Sequence, residues 1–224
     1  MKDFCFVNVS FREPYVSTQN RLRKSILSIY SDVTLFFWTD EMPPNAKLFH
    51  ESLYGFKVHA IEYARQKGFN KVIWIDTCCV LKKEIERLFE ALPHYGVYAI
   101  KDDQCEVYRY CSKAIKENFS IPNDLFLVGG SLYIFDFGIK LSEKIFNKWK
   151  EMEQTGFFGT QEMITNEKNN GIDICGHRMD ETCLSIAIDQ NGVRPLLRHL
   201  WMYDQVIEKK HFLKEGEKWY NDEN

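Results

Sequence analysis

Short apolar runs alternate with stretches of helical periodicity along the first hundred residues, and few folds accept that alternation. Residues 4–9 (FCFVNV) read as a buried strand, followed by a polar loop and a helix over 18–30. Residues 33–38 (VTLFFW) form a second strand that ends in Thr39-Asp40, and Pro43-Pro44 enforces a loop after it. Residues 57–66 are helical, with Val58, Ile61 and Ala64 on one face and Gly68 as the C-terminal cap. A third strand occupies 71–76 (KVIWID), and Ile85, Leu88, Phe89 and Leu92 then fall on one face of an amphipathic helix. Strand–helix–strand order of this kind implies a mainly parallel sheet reached by right-handed crossovers.

The second half is less regular. Residues 96–100 read as a strand, and 125–135 as an apolar stretch that bends at Gly129-Gly130. Leu141, Ile145, Trp149 and Met152 mark a helix, and 181–190 another that ends near Gly192. No repeat, low-complexity tract or linker interrupts the 224 residues, so a single α/β domain is expected over 1–224. Its nucleotide-type first half covers about 1–100, and its mixed second half about 101–224.

Composition narrows the function classes. A net charge of −3 lacks the basic footprint of a nucleic-acid binder, and no apolar stretch is long enough to span a membrane. The apolar run at the start, broken by Asn8, is too short for a signal peptide. Seven cysteines, two of them adjacent (Cys78, Cys79) and none in a C-x-x-C pair, fit a reduced cytoplasmic protein better than a disulfide or zinc framework.

In an open parallel sheet, ligands bind beyond the carboxyl ends of the strands. The polar residues that the chain order delivers there are Asn8 and Ser10, Thr39-Asp40, and Asp76. An acid at a strand end often does no more than cap the next turn. Asp76 is the best placed, because it closes a buried run. A carboxylate there can hold a divalent cation against phosphate oxygens.

The run Tyr54-Gly55-Phe56-Lys57, Ala64 and 68–77 (GFNKVIWIDT) resembles the nucleotide-sugar segment of GT-A glycosyltransferases. Residues 126–135 (FLVGGSLYIF) are similar to the donor-site strand of that superfamily, and 176–182 (GHRMDET) to the late segment whose helix faces the sugar. Each motif is loose, but their order spans roughly 4 to 192. The resemblance implies a GT-A-like fold and transfer of a sugar from a nucleotide-diphosphate sugar, with a UDP-sugar preferred. The acceptor would be a saccharide or another hydroxyl compound, and retention of configuration is implied by the late Asp-containing segment. The family's D-x-D pair is degenerate here: Cys78 replaces the second Asp and is a poor ligand for Mn²⁺ or Mg²⁺. Either Asp76 alone holds the metal with water, or basic side chains neutralise the diphosphate instead. Glu181 stands where Gln is common.

The resemblance also distributes roles. Asn8, Ser10, Asp40 and Lys57 would bind the nucleotide, and Gly129, Gly130, Ser131 and Glu181 the donor sugar. Asp180, with Arg178 and His177, would serve the chemical step: a carboxylate near the anomeric carbon favours an oxocarbenium-like transition state. Each has a plainer alternative. Asp180 can cap its helix, Lys57 can be a solvated lysine, and the glycine pair can be a strand kink. His199, beside Arg198 and Trp201, is similar to a late histidine that completes a metal site in some relatives. Residues 108–112 (YRYCS) could contact the acceptor or form a surface loop.

Two rivals remain. A sugar-phosphate nucleotidyltransferase would need a glycine-rich loop after its first strand, and 8–14 (NVSFREP) contain no glycine. A degenerate domain that binds a nucleotide sugar or glycan without turnover is motivated by the lost Asp.

Overall fold

The computed structural model describes residues 2–92, 94–169, 178–194 and 204–209. In chain order, β1 (Phe4–Ser10), α1 (Tyr15–Ile29), β2 (Thr34–Thr39), α2 (Phe56–Gln66) and β3 (Lys71–Ile75) make the regular half. There follow β4 (Cys79–Leu81), α3 (Glu86–Phe89), β5 (Val97–Tyr98), β6 (Lys101–Glu106), a 3-10 turn at Val107–Tyr110 and α4 (Lys113–Asn118). β7 (Phe126–Val128), β8 (Leu132–Asp136), α5 (Lys140–Gln154), α6 (Gln161–Asn169), α7 (Met179–Gln190) and β9 (Ile207–Lys209) complete the described elements.

The central sheet has the order β2-β1-β3-β8-β5. β1 pairs in parallel with both β2 and β3, while β8 runs antiparallel between β3 and β5. The fold is therefore α/β with a mainly parallel sheet, Rossmann-like in its first half and mixed in its second. Two antiparallel pairs, β4 with β9 and β6 with β7, lie outside that sheet.

Apolar runs without polar alternation are what a sheet covered on both faces requires. Successive residues point to opposite faces. Cys5, Val7, Val72, Trp74, Tyr133 and Phe135 enter one core with α2, α5 and α7. Phe4, Phe6, Ile73, Ile75, Leu132 and Ile134 enter the other, with Leu22 and Ile26 of α1.

Three expectations change in extent. The helix expected over 85–92 is the single turn α3; Leu92 precedes a proline in the sequence, and a residue before proline disfavours the helical region. The strand expected over 96–100 pairs only at Val97–Tyr98. The apolar stretch 125–135 does bend at its glycines, splitting into β7 and β8. Gly68 follows α2 with φ +93, the left-handed conformation that a helix terminator needs. Among the described residues no helix is long and apolar enough to cross a membrane.

Candidate functional site

α2 begins beside the carboxyl end of β3, and its first turn carries Lys57 inward. The Lys57 side chain is only 5% exposed, so it is a buried cation rather than a solvated one. Its Nζ lies 2.8 Å from Asp180 Oδ2, donates to the Gly130 carbonyl at 3.1 Å, and sits 3.5 Å from Asp76 Oδ1. The rings of Tyr54, Trp74 and Tyr133 surround it, with centroids 5.2 to 5.4 Å away. Burial works to lower the ammonium pKa, but Asp180 and Asp76 outweigh it and hold it above its ordinary value. Lys57 is therefore charged at every physiological pH.

Asp180 sits in the first turn of α7, and its side chain is 4% exposed. Its Oδ2 also accepts from the Tyr133 hydroxyl at 3.2 Å, and its carbonyl accepts from Trp149 Nε1 at 3.0 Å. The N-cap position belongs to Arg178, and no side chain caps α7. Asp180 is thus fixed by Lys57 and Tyr133, not by helix capping. Burial raises the Tyr133 phenol pKa, and Asp180 raises it further, so the phenol stays protonated as a donor.

Glu181 accepts from the Gly130 amide at 2.7 Å and pairs with Arg178 at 3.0 Å. Burial and the neighbouring Asp180 push its carboxyl pKa up, while Arg178 and Lys57 oppose them. The bend at Gly130 has a steric cause: an added Cβ would lie 2.6 Å from Glu181 Oε1 and 3.1 Å from Lys57 Nζ. Asp76 lies one residue beyond β3. Its amide donates to the Ser131 carbonyl at 2.9 Å, and its Oδ1 accepts from Trp74 Nε1 at 2.7 Å. At 32% side-chain exposure it is far more open to solvent than Asp180.

An aromatic crevice of about 640 Å³ adjoins this cluster over the ends of β1 and β2. Ser10, Asp40, Tyr15, Phe49, Tyr54 and Phe56 are among its walls. Tyr54 and Phe56 join the two regions: Tyr54 also faces Lys57, and the Phe56 ring lies 5.9 Å from that of Trp74. The Asp40 amide donates to the Ser10 carbonyl at 2.9 Å, and Asp40 Oδ1 accepts from the Arg12 amide at 2.8 Å. Ser10 Oγ is buried without a hydrogen-bond partner among the described residues.

Asn8 is placed differently. It is fully buried, donating to the Ile75 carbonyl at 2.6 Å and accepting from Gln19 at 2.8 Å. Gln19 also donates to the Trp38 carbonyl and accepts from Thr39. These amides tie the ends of β1, β2 and β3 together from beneath the crevice. His177, His199, Arg198 and Trp201 lie outside the described residues.

The structure thus gathers Lys57, Asp76, Gly130, Ser131, Arg178, Asp180 and Glu181 into one cluster and sets Ser10 and Asp40 in the adjoining crevice. Gly129 is at the same bend, its amide donating to the Ile100 carbonyl at 2.8 Å. Sequence reasoning gave no role to Trp74, Tyr133, Gln19 or Tyr54. Tyr133 was detectable as the one hydroxyl-bearing ring within an apolar run, and Trp74 as a ring two residues before a strand-end acid.

Among the described residues no three His, Cys, Asp or Glu side chains gather into a metal-binding group. Asp76 and Asp180 are the carboxylates that could share a divalent cation, and the Lys57 ammonium already lies against both. As arranged, these side chains do not fit a divalent cation.

No protein-family signature matches the sequence, and no curated protein is similar to it. Among solved structures, the chain is similar to the apo form of WbbM, a bifunctional glycosyltransferase, at 14% identity and a TM-score of 0.46. That likeness covers 73% of this chain and 37% of WbbM. It is also similar to a glycosyltransferase involved in glycosylation of the major capsid of PBCV-1, at 12% identity and a TM-score of 0.39, over 77% and 79% of the two chains. At this distance neither says what the present chain binds or transfers.

Proposed function

We propose that the chain is a glycosyltransferase that moves a sugar from a nucleotide-diphosphate sugar to a hydroxyl of a saccharide or similar acceptor. One observation carries this reading: an aromatic crevice large enough for a nucleoside shares Tyr54 and Phe56 with the surroundings of a buried ammonium–carboxylate cluster at the strand ends. The nucleoside stacks among Phe49, Tyr54 and Phe56, and rotation of the Ser10 side chain brings its buried, unpartnered Oγ into reach. Asp40, its orientation set by the Arg12 amide, accepts the N3–H of uracil, which makes a UDP-sugar the preferred donor.

The diphosphate then lies towards Asp76 and Lys57, where the fixed positive charge of Lys57 offsets the charge that develops on the leaving group. The donor sugar rests over Gly129, Gly130 and Ser131, beside Glu181. Asp180, held by Lys57 and Tyr133, faces positive charge at the anomeric carbon without having to reorganise. Retention of configuration is the outcome we propose, on the resemblance of the late Asp-containing segment to retaining enzymes. Arg178 holds Glu181 in place.

A melting-temperature panel of nucleotide sugars tests the donor assignment. At a hundred times its dissociation constant a true donor stabilises by about 2.7 kcal/mol. UDP-sugars should produce the largest shift, and equal or larger shifts with ADP-sugars would refute the choice of base.

A second reading, a domain that binds a nucleotide sugar without turnover, is favoured by the way Lys57 and Asp180 bond to each other. Release of UDP from a bound UDP-sugar separates the two, since a binding domain shows affinity and no release.

A further inference from the structure

Lys57 is an unusual lysine. An ammonium group has three N–H donors, and three oxygens surround this one: Asp180 Oδ2 at 2.8 Å, the Gly130 carbonyl at 3.1 Å and Asp76 Oδ1 at 3.5 Å. Three aromatic rings also lie close, with centroids 5.2 to 5.4 Å from it. The three oxygens come from the end of β3, the bend before β8 and the first turn of α7. A divalent cation bridging those elements would need the same oxygens at about 2.0–2.2 Å, together with several waters. The ammonium takes that place.

The next residues agree. Cys78, at the position from which a second carboxylate would reach a metal, presents a thiol whose Sγ lies 3.9 Å from that of Cys79. A thiol is a weak partner for Mn²⁺ or Mg²⁺. The charged groups facing Lys57 are Asp76, Asp180 and Glu181, with Arg178 on the far side of Glu181. A divalent cation among them would meet an ammonium that is itself buried and lies 5.2 to 5.4 Å from the rings of Tyr54, Trp74 and Tyr133.

We propose that Lys57 is the resident cation of this site, standing in place of a divalent metal, so that donor binding and transfer proceed without one. This rests on reading the crevice as a donor site, but its test needs no donor.

The full chain is titrated with Mn²⁺ alone. Binding is followed by the loss of the free-ion paramagnetic resonance signal, and stability by the melting temperature. The wild-type chain should take up no stoichiometric Mn²⁺, and its melting temperature should be the same with Mn²⁺ as with chelator. Lys57→Ala should gain one Mn²⁺ equivalent and a rise in melting temperature of several degrees. Both gains should vanish in Lys57→Ala/Asp76→Asn. Stoichiometric Mn²⁺ uptake by the wild-type chain that is lost in Asp76→Asn overturns the proposal, and so does a folded Lys57→Ala that gains no ion. Lys57→Met, which keeps the stem packed between the rings, serves in place of Lys57→Ala if the latter does not fold, and the wild-type titration decides even if neither folds. Failure of every nucleotide sugar to bind would instead defeat the functional reading and leave the metal titration unaffected.

Discussion

Beside the crevice, near β3 and β8, Asp180 bonds to Lys57 and Tyr133, while Lys57 and Glu181 take the carbonyl and amide of Gly130. At the β1–β2 end, Ser10 Oγ is buried with no partner among the described residues, and the walls include the rings of Phe11, Tyr15, Phe49, Tyr54 and Phe56. The first end is preorganised: its charges compensate each other before any ligand arrives, so its geometry and the stability of the fold are one property. Under the proposed function, the second end is completed by the nucleoside that binds there. Substitutions at the two ends should therefore fail differently, the first in folding and chemistry together, the second in affinity alone.

The largest effect should follow removal of the buried cation. Lys57→Met leaves Asp180 without its charged partner in a site closed to water. It should cost about 3–5 kcal/mol of stability, read as a lowered midpoint in urea unfolding. A loss under about 1 kcal/mol would mean that the cluster is not preorganised. Gly130→Ala comes next. Its Cβ would press on Glu181 Oε1, which is already tied to the Gly130 amide and to Arg178. Overpacking of this kind costs about 1–3 kcal/mol, and the same unfolding measurement checks it.

At the open end the expectation reverses. Ser10→Ala removes an unpartnered hydroxyl, so stability should stay within about 0.5 kcal/mol of the parent. Donor affinity should fall about tenfold, the worth of one hydrogen bond, as measured by calorimetric titration of UDP-sugar. A large loss of stability in this variant would erase the distinction between the ends.

The smallest effect serves as a control away from the crevice. Glu153 accepts from Ser52 at 2.7 Å and pairs with His59, one residue beyond Val58 on α2, at 3.2 Å. Burial pushes its carboxyl pKa up, but the bonds from His59 and Ser52 outweigh burial and hold it below the ordinary 4.5. The folded chain therefore releases this proton more readily than the unfolded chain. The resulting stabilisation is complete above pH 4.5 and is lost as the pH falls through the folded-state value. Glu153→Gln should flatten that acid-side decline in stability while leaving donor affinity near neutral pH unchanged. An unaltered pH profile would remove Glu153 from the acid sensitivity.

Much of this was legible in the sequence because it is local. Asp76 ends an apolar run, Gly129-Gly130 interrupts one, and Asp180-Glu181 opens a helical pattern. Periodicity locates such residues on elements and, through strand order, at one edge of the sheet. It does not reveal partners, since the Lys57–Asp180 pair joins residues 123 positions apart. In the sequence Lys57 is only a lysine at a helix start; its partners Asp180, Gly130 and Asp76 appear with the fold. Asn8 sat at the right strand end, yet the period of two turns it towards α1 and Gln19, beneath the crevice. β6 was missed for a simpler reason: its residues 101–106 (KDDQCE) are mostly polar, and pairing with β7 alone makes them a strand.

The central claim is that Asp180 serves the chemical step from a position that the fold has prepared. The direct test is the rate of UDP release from saturating UDP-sugar by the wild-type chain and by Asp180→Asn, below the melting temperature of each and with donor binding measured in parallel. Loss of one preorganised charged group is worth on the order of 3 kcal/mol, or a hundredfold in rate. Measurable release by the wild-type chain and release at least a hundredfold slower by Asp180→Asn, with the donor still bound, is the expected result. Near-equal release by the two, or a wild-type chain that binds UDP-sugar and never releases UDP, would contradict it.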